Sequence, residues 1–82
     1  MPGDGSERIR VKVKLFATLR EGRFDVKSME IGTQTSVGDV IRELRIPEKE
    51  VTLIFVNGRH AGLDRLLSAE DNLALFPPVG GG

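Results

Sequence analysis

The chain has 82 residues, with 12 basic against 12 acidic, one histidine and no cysteine, so it reads as one domain without a disulfide framework, thiolate zinc site or thiol nucleophile. Charge balance argues against nucleic acid or an anionic membrane as partner, because both demand neutralisation of phosphate. No apolar run approaches a membrane span, and the small size leaves little room for a deep substrate pocket, so protein partners and a cytoplasmic setting are the default expectation.

In chain order, residues 1–8 are polar and glycine-rich and read as a disordered leader; Met1 to Ser6 lacks the charged-then-apolar pattern of a signal peptide. Strict alternation begins at Ile9. Ile9, Val11, Val13 and Leu15 fall on one face of a strand, and Arg10, Lys12 and Lys14 fall on the other. In unbroken register Phe16 belongs with the lysines and points to solvent, whereas a bulge would turn it into the core; the pattern leaves both open. Arg20 to Arg23 reads as a turn, and Phe24, Val26, Met29 and Ile31 mark a second strand whose alternation slips once after Val26.

Ser36 with Asp39 three residues on is a capping-box-like helix start. Val37, Val40, Ile41 and Leu44 then recur at helical spacing, and Ile46-Pro47 ends the helix. Val51 to Val56 is apolar on both faces and reads as an inner or well-covered strand. Asn57-Gly58 predicts a tight turn into a short return strand, Arg59 to Ala61, with His60 an exposed turn residue lacking any neighbour in sequence that would make it catalytic. Leu63, Leu66 and Leu67 read as core anchors of a crossing segment, Glu70-Asp71 as a turn, and Asn72 to Phe76 as the last strand, with Leu73 and Leu75 inward and Ala74 and Phe76 outward.

One helix against a four- to five-stranded mixed sheet is the economical packing for this order of elements, an α+β ubiquitin-like β-grasp over residues 9–76. Its first and last strands lie parallel at the centre. Phe16 and Phe76 then become neighbours, and with Ala74 and His60 they form the expected partner-binding set, framed by Arg10, Lys12 and Lys14. Residues 77–82 read as a flexible tail. Pro77 and Pro78 carry the chain away from the body, and Val79, Gly80, Gly81 and Gly82 present bare backbone; fully extended, the six residues reach about 20 Å.

The ending Phe76-Pro77-Pro78-Val79 with Gly81-Gly82 resembles the MoaD/ThiS sulfur-carrier family, closest to the small subunit of molybdopterin synthase. Val13-Lys14-Leu15-Phe16-Ala17 with Leu19-Arg20-Glu21, and Val56-Asn57-Gly58, carry the same resemblance, which spans residues 9 to 82. The short segment before the helix and the Val79-Gly80-Gly81-Gly82 ending look closer to the thiamin carrier, while the Phe-Pro-Pro element favours the molybdopterin or tungsten-pterin route. The resemblance implies that Gly82 is adenylated by an ATP-using partner of the MoeB/ThiF type, itself similar to a ubiquitin-activating enzyme. A sulfur donor then converts it to a thiocarboxylate, and the tail threads through Pro77 to Gly81 into a large subunit of the MoaE type. It further implies that the chain is no enzyme alone and binds no cofactor. The other readings are a thiamin-pathway carrier, a ubiquitin-like modifier that joins lysines through Gly82, and a plain interaction module.

Overall fold

The alternation that begins near Ile9 builds β1 (Arg8–Leu15) in the computed structural model, which describes residues 7–78. Arg8, expected in the leader, instead opens β1 opposite Gly32; residues 1–6 lie outside the described residues. The remaining elements are β2 (Val26–Gly32), α1 (Val37–Glu43), β3 (Leu53–Val56), β4 (Arg59–His60) and β5 (Asn72–Phe76). They form a five-stranded sheet in the order β2-β1-β5-β3-β4, with β1 and β5 parallel and the other pairs antiparallel. This is the expected β-grasp, one helix on one face of a mixed sheet.

Period-two patterning decides which side chains meet the helix. Val11, Val13 and Leu15 of β1, Leu73 and Leu75 of β5, and Ile54 and Val56 of β3 are buried with Val37, Val40 and Ile41 of α1. Ile31 and half-buried Met29 supply the inward side of β2. Val26 does not belong to that side. It pairs with Lys14 and is exposed on the opposite face, so the slip in alternation marks a side chain that leaves the core.

The connections depart from the sequence reading in three places. Between β1 and β2 the chain first makes a 3₁₀ turn, Ala17–Arg20, which buries Leu19 under the sheet. The helix ends before Pro47 acts. Arg45 adopts a left-handed φ of 61°, and the Ile46 N–H donates back to the Ile41 carbonyl at 3.1 Å, closing the last turn. Leu63 and Leu66 are exposed and do not anchor the core; of the three leucines only Leu67 is buried. That crossing segment is held by backbone, because the Leu63 and Arg65 carbonyls accept from the Gly38 and Val37 N–H groups at 2.8 and 2.9 Å. Those two donors are orphans of the helix start, so satisfying them positions the segment without inserting its leucines.

Two local devices fix the frame. The capping box at α1 is complete, with Ser36 Oγ accepting from the Asp39 N–H at 3.1 Å and Asp39 Oδ2 accepting from the Ser36 N–H at 3.0 Å. Asn57 and Gly58 both take positive φ, as a two-residue hairpin turn requires. Asn57 also reaches across to β5. Its Nδ2 donates to Asp71 Oδ1 at 2.8 Å and its Oδ1 accepts from the Asn72 N–H at 2.9 Å, while Asp71 Oδ2 accepts from the Ser68 N–H at 2.8 Å.

Two outcomes follow from these devices. Asp71 is buried, so Asp71→Ala leaves the Asn57 amide and the Ser68 N–H without their acceptor and should destabilise the fold by about 1–3 kcal/mol in denaturant titration. The Ser36 backbone N–H, then the Ser36 hydroxyl and Arg42, hold the Asp39 carboxyl below its ordinary value. A lowered folded-state pKa contributes stability above the unfolded value and loses it as pH falls through the folded one. The midpoint difference between wild type and Asp39→Asn should therefore be largest near neutral pH and shrink below the ordinary aspartate range.

Candidate functional site

Every strand that sends side chains to the helix sends the alternate set to a face that, among the described residues, no helix covers. The register lines that set up. Lys14 and Phe55 both oppose Ala74, Leu53 opposes Phe76, and His60 opposes Phe55. Phe16 keeps the parity of Lys14 because its own backbone is extended, with φ −120° and ψ 149°, and no bulge intervenes. The chain turns away one residue later, at Ala17, where φ is 54°. A non-glycine residue in the left-handed region is strained, and here it leaves the Phe16 ring on the open face.

There the rings form a cluster. Phe16 stacks on Phe76 with centroids 4.2 Å apart and planes 10° from parallel. Phe55 meets Phe76 edge-on at 5.8 Å, and His60 meets Phe55 edge-on at 5.8 Å. Around them lies a shallow depression of about 370 Å³ whose floor is Phe16, Phe55, Ala74 and Phe76 and whose rim includes Lys14. Phe16 and Leu53 are both more than a third exposed. A contiguous apolar area with a cationic rim on a small domain is the form of a protein-docking surface. Arg10, further along β1, is tied to Glu30 at 3.5 Å.

All four residues expected to touch a partner, Phe16, Phe76, Ala74 and His60, are thus brought together. Phe55 and Leu53 complete the patch and escaped the sequence reading. The signal was present in the doubly apolar run Val51 to Val56, which reads as an inner or well-covered strand; it is inner, between β5 and β4, but its second side is open. Ile54 and Val56 are buried under the helix and Val51 packs against the same core, while Leu53 and Phe55 lie on the patch.

The tail leaves beside this face. The Thr52 N–H donates to the Phe76 carbonyl at 2.8 Å, Pro77 is buried and Pro78 is exposed. Val79, Gly80, Gly81 and Gly82 lie outside the described residues. Among the described residues no group of three or more His, Asp or Glu side chains is placed to hold a metal ion, and no helix is long and apolar enough to cross a membrane. The geometry offers contact area and an exit point for the chain.

The ThiS family model matches residues 13–82. A Pyrococcus furiosus protein assigned as molybdopterin converting factor subunit 1 is 33% identical, the match covering 87% of this chain and 99% of that one with a TM-score of 0.71. Small archaeal modifier protein 1 of Haloferax volcanii is 27% identical over 87% of this chain and 99% of its own, also at 0.71. A chain from the complex of subunits 1 and 2 of the molybdopterin-converting factor of Helicobacter pylori is 26% identical over 90% and 100%, at 0.56. No curated protein matches the chain.

An exposed ring and a core side chain should differ in what their loss costs. Phe16→Ala removes an exposed stacked ring and should cost about 0.5–1.5 kcal/mol of stability, the scale of an aromatic pair. Leu73→Ala, in the fully buried interior, should cost about 2–5 kcal/mol in the same titration.

Proposed function

Because the chain belongs to the ThiS family, whose model runs through Gly82, we propose that it is a sulfur carrier whose terminal carboxyl becomes a thiocarboxylate and gives its sulfur in molybdopterin synthesis. The observation that carries this reading is the exposed aromatic face lying beside the point where a Pro-Pro, Gly-rich ending leaves the sheet. The likeness to the Pyrococcus furiosus converting-factor subunit supports the molybdopterin branch over the thiamin one.

The chemistry follows from the carboxylate. Its negative charge repels nucleophiles and its oxygen is a poor leaving group, so an ATP-using partner of the MoeB/ThiF type must first form an acyl-adenylate. A persulfide sulfur from the donor then displaces AMP, and a second thiol cleaves the acyl disulfide to release the thiocarboxylate. A large subunit of the MoaE type would receive the tail and carry the acids and bases of the transfer to a pterin precursor. This chain contributes recognition and reach. The aromatic face docks, the prolines direct the tail outward, and the glycines pass a channel too narrow for a Cβ. The Helicobacter pylori protein, whose two subunits form a complex, is a precedent for such a pairing.

A second reading has its own support. The Haloferax volcanii neighbour is a modifier protein, and the same adenylated Gly82 attacked by a lysine amine would give an isopeptide bond. Intact-mass analysis of the protein from its native cell separates the two. A fraction with one oxygen exchanged for sulfur supports the carrier, branched lysine adducts support the modifier, and an unmodified chain alone rejects both.

Substitutions in the tail give the complementary outcome. Adding one residue after Gly82 should abolish adenylation and leave the unfolding midpoint unchanged, and Gly81→Ala should fold normally but be activated poorly. Wild-type turnover by either protein in an adenylation assay would contradict the channel argument.

A further inference from the structure

β3 and β5 pair as far as Val56 with Leu73, and one asparagine makes the next rung. The Asn57 N–H donates to the Asn72 carbonyl at 2.8 Å, as a ladder residue would. With φ at 54° the backbone then leaves the extended form, and it is the side-chain Oδ1 that accepts from the Asn72 N–H at 2.9 Å. The Nδ2 completes this clasp by donating to Asp71 Oδ1 at 2.8 Å. A tight turn requires the positive φ but neither of the side-chain bonds.

An asparagine followed by glycine is also open to a reaction of its own backbone. The Gly58 nitrogen, with no Cβ beside it to hinder approach, attacks Cγ of Asn57; the N–Cγ bond forms, the Cγ–Nδ2 bond breaks, and the side-chain nitrogen leaves as ammonia with the proton given up by the Gly58 N–H. Water then opens the resulting succinimide at either carbonyl, leaving aspartate or isoaspartate. Asn57 is exposed, so water reaches it. The other asparagine, Asn72, precedes Leu73, whose side chain hinders the same ring closure.

We propose that Asn57 is a gated deamidation site, held from the Gly58 nitrogen by its clasp to Asp71 and Asn72 and reactive only in molecules where that clasp has opened. Both polar ends of the amide are committed to the start of β5, so Cγ cannot turn to the nitrogen without giving up two hydrogen bonds, one of them to a buried carboxylate. The gate works one way. In the aspartate product an oxygen replaces Nδ2 opposite Asp71 Oδ1, so a bond is lost and two like charges meet; isoaspartate instead adds a backbone atom to a turn of fixed length. Asp71 is not free to move aside, because its Oδ2 accepts from the Ser68 N–H at 2.8 Å. Gly58 and Asn72 line the aromatic depression, so a reacted chain carries its new carboxylate beside that face.

The test holds the full chain in mildly alkaline buffer, folded or in denaturant, and follows aspartate and isoaspartate at position 57 by peptide mapping. The folded chain should convert about tenfold or more slowly than the denatured one. Equal rates would overturn the gate. Asp71→Ala should convert several-fold faster than wild type, and faster than the α1 core variant Val40→Ala under conditions where the two are equally folded; parity between those variants would show that the clasp is not what protects Asn57. Should Asp71→Ala not fold, the wild type decides: as urea is raised below the unfolding transition, conversion should rise in step with hydrogen exchange at the Asn72 amide, and conversion indifferent to that exchange would overturn the proposal. Asn57→Asp reproduces the aspartate product. Its amides at 57 and 72 should exchange several-fold faster than in wild type, and unchanged exchange would refute the one-way character.

Discussion

The structure depends on one pairing, that of β1 with β5. Four register pairs, Lys12 with Asn72 through Leu15 with Leu75, run parallel between strands that stand at opposite ends of the chain. A parallel pair cannot be closed by a hairpin, so everything between these strands, helix included, is the crossover that makes the pairing possible. The pairing places Val13, Leu15, Leu73 and Leu75 side by side under α1 with almost no exposure, and each such burial contributes about 1.5–3 kcal/mol. On the reverse side it places Phe16 against Phe76. The core and the aromatic face are therefore two sides of one ladder.

This explains why the exposed face is aromatic and still ordered. Isolated phenylalanines in solvent would be mobile. Here Phe16, Phe55 and Phe76 brace one another, and the His60 ring closes the edge. In the proposed carrier role, preorganisation of this kind would lower the entropy to be lost on docking. A partner that covers the rings in that role would also meet the chain that follows Phe76.

Much of this was legible in the residues, and for physical reasons. Strand parity is a strict period, so Ala74 and Phe76 could be assigned outward from the residues alone, and Phe16 with them on condition that no bulge intervened. The capping box and the Asn57-Gly58 turn rest on chemistry local to a few residues, and both formed as expected. What failed lies where no period operates. Leu63 and Leu66 sit in an irregular segment tied down by its backbone, so their apolar character did not imply burial. Leu19 was missed because a 3₁₀ turn of four residues is too short to show periodicity. Phe55 was concealed by a run that is apolar on both sides, which describes equally a covered strand and a strand whose second side is open; what distinguishes them is that, among the described residues, no second layer covers that side.

The central claim is that the bare face and the tail act as one docking unit. It is tested most directly by titrating isotopically labelled protein with the ATP-using activating enzyme of its own cell and following backbone amide signals. The account predicts that the largest changes fall at Phe16, Phe55, Ala74, Phe76 and the residues after Pro78, with α1 and the Leu63 to Leu66 segment nearly still. Changes centred on α1 or on those exposed leucines, with the aromatic face unmoved, would contradict it.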